Sequence, residues 1–394
     1  MEHYRIAMVA ACPFPCERGT PVRIYRMAEA LAKRGHEVHV VTYHLCDPVH
    51  VHDNLHIHRI PDIWTYKKMS PGPTLQKILV LDTLLMYRLG VLLKEWPFDI
   101  VHAHHVEGMF TALVSRHRTV RVPIVFDVHT LLESELPYYG YRPLRRLIQK
   151  FGDWIDRFLS KRADHVITVT GDIQKRLLEL GVTTPQSSIT IGNGVELERF
   201  HGLTRRRRSR DDECIIVFAG NLAPYQGIDP LLRAFAILHH RRSQARLRIV
   251  TSTSFASFEI LARKLQIRDA IELVHEGFEA VPSWLVASDI AVNPRIEAPG
   301  LPQKTLNYMA AGMPIASVAG AGQHLVNEKT ALLAYGESPM SLAAVLERLM
   351  DDPELADRLG QAARAVVLEQ MSWERVSILV EKVYATVTSR YRDL

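Results

Sequence analysis

One pattern restricts the fold of this chain more than any other: a short β-branched apolar run, a turn, then a segment with apolar residues at helical spacing. RIAMVA (5–10) precedes a helical stretch near 20–34 whose Val22, Ile24, Met27, Ala28 and Leu31 fall on one face, and EVHVVTY (37–43) follows Gly35. DIVHAH (99–104), PIVFDVH (123–129) and HVITVT (165–170) continue the theme. It restarts with CIIVFAG (214–220), RLRIVTS (246–252), AIELVH (270–275), DIAVNP (289–294) and PIASVAG (314–320). Alternating strands and helices build parallel βαβ units, so the expected fold class is α/β, with two doubly wound domains facing one another across a cleft. A length of 394 residues agrees, because one core rarely organises so long a chain. The run RRRRSR (205–210) reads as a solvated linker, placing the domains at 1–203 and 204–374.

Composition excludes several classes. Hydrophobic residues make up 47% and charged residues 23%, a globular balance. No apolar run is long enough to span a bilayer, and the N-terminus enters a strand-like segment without a secretory pattern, so a cytoplasmic protein is expected. Cys12, Cys16, Cys46 and Cys214 are too few and too scattered for a disulfide framework, and Cys12 and Cys16 lack a second pair for zinc. With 48 basic and 43 acidic residues the net charge is +5, which permits attraction to phosphates or anionic membranes without requiring it. The arginine run has no interleaved aromatics, so nucleic acid is not an expected partner.

In open α/β sheets ligands bind beyond the carboxyl ends of strands. AACPFPCERGTPVR and AGNLAPYQGIDPLL occupy such positions but match neither GxGxxG nor the P-loop. PGLPQK (299–304) does too. Pro302 suits a first helical position, and Gly312 with Pro314 supplies a stop, which puts Lys304 in the first turn of a short helix. A cation is mildly unfavourable at that end of the helix dipole unless an anion sits in front of it. Arg295 lies just upstream, so this loop is a candidate phosphate cradle.

The order of these segments resembles the GT-B glycosyltransferases of family 4, with two Rossmann-like domains. PFPCERGTPVRIYRMAEALAKRGHEVHVVT, DIVHAHH, VFDVHT and ADHVITVT with IGNGVELERF resemble its N-terminal half. VFAGNLAPYQGIDPLLRAF and LPQKTLNYMAAGMPIA resemble its donor-binding half, in a variant form with a P-x-K pattern. The resemblance covers nearly the whole chain. It implies transfer of a sugar from a nucleotide-sugar donor, with retention and without a metal or other cofactor. It makes the first domain the acceptor side and the second the donor side, with a last helix (about 375–394) crossing back to the first.

By the same resemblance, Gly19 lets the backbone approach the transferred sugar, and His129 hydrogen-bonds a donor hydroxyl. Asp127 points the same way by strand alternation. The donor site falls at Asn221, Gln226, Gly227, Arg295, Gly300, Leu301, Lys304 and Asn307. Four positions depart from the family: a basic residue is usual at Asn221, a lysine at Gln226, a glutamate at Asn307 and an acid at Pro299, with Glu297 two residues away. Amides bring no charge to a diphosphate, so Arg295 and Lys304 are expected to compensate.

The expected acceptor is a glycan, a lipid-linked sugar or a small molecule, and polysaccharide biosynthesis at the inner face of the cell membrane is one such setting. Residues 143–162 place Leu144, Leu147, Ile148, Phe151, Ile155, Phe158 and Leu159 at helical spacing among basic residues, which suits either an anionic membrane surface or a helix packed on the first sheet. YYGY (138–141) either lines an acceptor entrance or packs a loop. His50, His52, His56 and His58 alternate as ligands sometimes do, but lacking a carboxylate at matching spacing they read as a polar strand face. A nucleotide-sugar epimerase of the same fold and an inactive nucleotide-sugar-binding scaffold are the competing functions; a phosphorylase is disfavoured by the lack of a recognisable pyridoxal-phosphate lysine motif.

Overall fold

The computed structural model describes residues 2–16, 19–46, 51–69, 72, 74–117, 122–139, 142–206, 208–209, 212–295, 303–322, 325–336 and 338–392. The chain divides into two compact units, residues 1–194 with 373–394, and residues 195–372.

In the first unit, β1 (Arg5–Ala10), β2 (Glu37–Thr42), β3 (Leu55–Arg59), β4 (Ile100–His104), β5 (Ile124–Val128), β6 (His165–Thr168) and β7 (Ser188–Thr190) form one parallel sheet in the order β3-β2-β1-β4-β5-β6-β7. Its helices are α1 (Gly19–Lys33), α2 (Asp82–Glu95), α3 (His105–His117), α4 (Leu132–Tyr139), α5 (Arg145–Ser160) and α6 (Gly171–Glu179). The second unit holds β8 (Cys214–Ala219), β9 (Ala245–Val250), β10 (Ile271–Val274), β11 (Ile290–Asn293), β12 (Ile315–Val318) and β13 (Leu332–Ala334), ordered β10-β9-β8-β11-β12-β13 and again parallel. Around it lie α7 (Ile228–Arg241), α8 (Ala256–Lys264), α9 (Val281–Val286), α10 (Gln303–Ala310), α11 (Pro339–Asp351) and α12 (Pro353–Gln370).

Both sheets are covered on two faces, which is why their strands read as continuous apolar runs. In β1, Ala7 and Val9 join one core, while Ile6, Met8 and Ala10 join another. In β8, Cys214, Ile216 and Phe218 pack one way, Val217 and Ala219 the other. The apolar stripe of α1, with Ile24, Met27, Ala28 and Leu31 fully buried, covers one face of the first sheet. The last helix, α13 (Trp373–Arg392), belongs to this unit: Trp373, Val376, Val380, Val383, Tyr384 and Val387 are buried in the same core. Gly194 has room for no side chain, since a Cβ there would lie 2.6 Å from the Trp373 ring.

Several expectations are corrected. The division falls after Gly194 rather than 203, because the Val195 amide donates to Met371 O at 2.8 Å and Phe200 is buried in the second unit. The described arginines of the run are not a solvated linker: Arg205 donates to Gly312 O at 2.8 Å, Arg206 lies 3.5 Å from Asp289, and Arg208 donates to Met350 O. Cys16 and Cys46 form a disulfide, with Cα atoms 6.8 Å apart. It joins the loop after β1 to the segment after β2, an approach that a 30-residue separation does not announce. Three short strands do not stand out in sequence: β3 and β7 carry few apolar residues, and β13, although wholly apolar, is only three residues long.

Candidate functional site

Each sheet has a switch point where the strand order reverses, between β1 and β4 in the first and between β8 and β11 in the second. The chemistry-bearing residues gather beyond the carboxyl ends of those strands.

In the first unit, Gly19 opens α1 with φ +42°, a conformation suited to glycine, and among the described residues nothing crowds the place of its missing Cβ. Thr20 follows, its Oγ1 lying 2.8 Å from His105 Nε2 and 3.2 Å from His129 Nδ1. His129 directly follows β5 and is only 7% exposed; its Nε2 is 3.3 Å from His104 Nδ1. Both its ring nitrogens therefore have partners. Burial, partly opposed by Asp127, holds the His129 imidazole well below its ordinary range, so it is neutral near pH 7; burial and His102 do the same to His104.

Asp127 is fully buried and faces Arg23 rather than an open site, with Nη2 of Arg23 2.9 Å from Oδ2. Burial would raise this carboxyl, but Arg23 and the surrounding histidines hold it well below the carboxylate range. Arg23 also donates to Ile191 O, Gly192 O and Asn193 Oδ1 at 2.8 to 3.1 Å, pinning α1 to the end of this unit's chain path. Asp127 thus acts through Arg23. His102 Nδ1, 2.7 Å from Tyr384 Oη, ties β4 to α13.

In the second unit, β8 runs into a turn made by Asn221, whose Oδ1 accepts from Ala223 N at 3.2 Å. Gln226 and Gly227 follow. Gly227 has φ +73°, and a Cβ would meet Pro294 O at 2.3 Å, so only glycine lets the loops after β8 and β11 approach this closely. Gln226 Nε2 donates to Asn221 Oδ1 at 3.3 Å, and Lys304 Nζ donates to Gln226 Oε1 at 2.6 Å. The Lys304 ammonium also lies 4.4 Å from the Phe218 ring centre, and the Arg295 guanidinium 5.3 Å from that of Tyr225. Lys304 sits in the first turn of α10, which has no acidic residue there. Burial and the nearby Arg295 push its pKa down to about 7, and among the described residues no carboxylate forms an ion pair with it. This corner is therefore receptive to an anion. Asn307, one turn on, is buried, and among the described residues no side-chain hydrogen bond joins it to Asn221, Gln226 or Lys304. Gly300 and Leu301, with Glu297 and Pro299, lie outside the described residues.

Two family models cover the chain almost end to end. "Glycosyltransferase Family 4" matches residues 18–199, and "Glycosyl transferases group 1" matches residues 203–366. The chain belongs to glycosyltransferase family 4. As a GT-B glycosyltransferase it works on a sugar-nucleotide donor. This family 4 chain is 28% identical over 323 residues to a D-inositol 3-phosphate glycosyltransferase of Streptomyces scabiei, 75% of this chain and 69% of the relative. Its fold is that of a sucrose-phosphate synthase from Thermosynechococcus elongatus, with a TM-score of 0.79 and 18% identity over 98% of this chain and 100% of that one. It is similar also to HepE of Anabaena, solved with UDP-glucose, with a TM-score of 0.72 and 13% identity over 98% and 100% of the two chains.

Thr20, Arg23, His104 and His105 were not singled out by sequence reasoning about this family 4 enzyme. His105 had a usable signal, the HH pair ending DIVHAHH; it adopts φ +61°, unusual for a residue with a side chain.

Proposed function

We propose that the protein transfers a hexosyl group from a nucleoside-diphosphate sugar to a glycan, lipid-linked or small-molecule acceptor, with retention of configuration and without a metal in the transfer step. The observation that carries this reading is the 2.6 Å bond between Lys304 Nζ and Gln226 Oε1, with Arg295 nearby. The ammonium lies at the end of the Gln226 side chain, the position at which the family resemblance implies a lysine. Lys304 and Arg295 then neutralise the diphosphate, the task a metal performs in other transferases. Asn221, Gln226 and Gly227 line the phosphates with amide and backbone donors, Asn307 meets the ribose, and Gly300 and Leu301 complete the loop.

On the acceptor side, Gly19 gives the donor sugar room, and the neutral His129 exchanges its 3.2 Å contact with Thr20 for a hydrogen bond to a sugar hydroxyl. Asp127 holds Arg23 and so positions α1. The protein works in the cytoplasm, peripheral to the membrane. Among the described residues no helix is long and apolar enough to cross one. On α5, Gly152, Asp156 and Leu159 are buried against the unit, while Leu147, Phe151 and Trp154 are more than half exposed beside Arg145, Arg146 and Lys150.

Incubation with a panel of nucleotide sugars, with and without acceptors, tests the reaction. Slow donor hydrolysis and a glycosylated product of unchanged anomeric configuration are expected. Epimer formation, or binding without turnover, would overturn the transferase reading. Flotation with anionic vesicles tests the surface, and failure to float would remove the membrane.

A further inference from the structure

His50, His52, His56 and His58 alternate in sequence without a carboxylate at matching spacing. Parallel pairing of β2 with β3 supplies one. The register sets His39 opposite His56 and Val41 opposite His58, so the alternate residues Glu37 and His39 on β2 share a sheet face with His56 and His58 on the edge strand β3. We propose that Glu37, His39 and His56 bind one divalent transition-metal ion of zinc-like ligand preference at this outer edge of the first sheet.

The donor atoms already converge. Glu37 Oε1 is 3.2 Å from His39 Nε2 and 4.0 Å from His56 Nε2, and one donor from each of the three residues lies within 4.8 Å of the others. Adjacent ligands of a tetrahedral zinc stand about 3.3 Å apart, given metal–ligand bonds near 2.0 Å, so small side-chain rotations close the site. Imidazole and carboxylate together form an N/O set that suits zinc and its neighbours.

The surroundings orient these ligands. Arg5 Nε holds the other carboxylate oxygen, Oε2, at 2.6 Å and leaves Oε1 to the histidines. His39 Nδ1 lies 2.9 Å from His58 Nε2, and the two rings stack with planes 1° apart. A histidine ligand fixed through its second nitrogen is the usual outer-shell arrangement. Phe98 packs edge-on against the His39 ring, and an open pocket of about 620 Å³ lined by Glu37, His56, Asn54 and Asp53 gives access and room for a water as fourth ligand. The ion would clip the edge strand β3 to β2.

A second cluster, His102, His104 and Asp127, also brings three donors together. There the Arg23 guanidinium bonds both oxygens of the carboxylate, and all three groups are buried. Arg5 bonds only Oε2 of Glu37, whereas Arg23 occupies both oxygens of Asp127, so the edge site is favoured.

The test uses the full-length protein without a histidine tag, stripped with a chelator and titrated with zinc by calorimetry, then with cobalt by visible absorption. One ion per chain is expected, with a tetrahedral-type cobalt spectrum. His56→Ala, at a side chain 43% exposed, should leave the metal-free melting temperature nearly unchanged and weaken binding at least about tenfold. Glu37→Gln should weaken it similarly. No binding by the unaltered protein, or binding that His56→Ala leaves unchanged, would overturn the proposal.

Discussion

The two switch points are built on opposite electrostatic plans. Beyond β1 and β4, the buried charge among the described residues has its complement inside the unit: Asp127 is paired with Arg23, and the neutral imidazoles of His104 and His129 bond one another and Thr20. Beyond β8 and β11, Lys304 bonds an uncharged amide and neighbours a second cation. The first is a finished structure, whereas the second gains most when an anion arrives. Substitutions in the first should therefore register in stability, and substitutions in the second in ligand affinity.

The largest effect is expected at Arg23. Arg23→Ala leaves a buried carboxylate unpaired, a loss of about 3–5 kcal/mol that chemical denaturation would read directly. A loss below about 1 kcal/mol would mean that Asp127 is not held by this pair. Lys304→Met should behave oppositely, keeping the fold while lowering affinity for a nucleoside diphosphate by about 10-fold to 100-fold, the worth of one charge-assisted hydrogen bond. If thermal melts show it unfolding instead, the contrast between the two regions fails.

The pH dependence follows from the same asymmetry. The Lys304 pKa, about 7 in the folded chain, is below the ordinary lysine value, so between those limits the unfolded chain binds the extra proton and stability rises with pH. Diphosphate affinity runs the other way, since the protonated ammonium is the binding form: it should fall as pH rises above about 7, with proton uptake on binding seen as buffer-dependent calorimetric heats. Lys304→Met should flatten both profiles. The smallest effect is expected at Thr20, where Thr20→Val removes a hydroxyl shared by His105 and His129 and should cost about 1 kcal/mol.

Much of the architecture was legible because buried parallel strands are uninterrupted apolar runs: β1, β8 and their neighbours could hardly be anything else. β3 was not, since LHIHR presents histidines where a core strand presents valine, and its partner is recognisable only once β2 lies beside it. The site was legible in the same uneven way. Lys304 betrayed itself by sitting at the wrong end of a helix dipole, and the glycines by the turns they allow. Asp127 and Arg23 are 104 residues apart, and nothing local marks them as a pair. Alternation placed Asp127 on the correct face but not its partner, and the Cys16–Cys46 approach was hidden for the same reason.

The central claim is that Lys304 stands in for the cation missing at Gln226. Calorimetric titration of a nucleoside diphosphate into the unaltered protein, Lys304→Ala and the double variant Lys304→Ala with Gln226→Lys tests it most directly. The account predicts at least about tenfold weaker binding in the single variant and recovery of most of that loss in the double. Unchanged affinity in Lys304→Ala would contradict it.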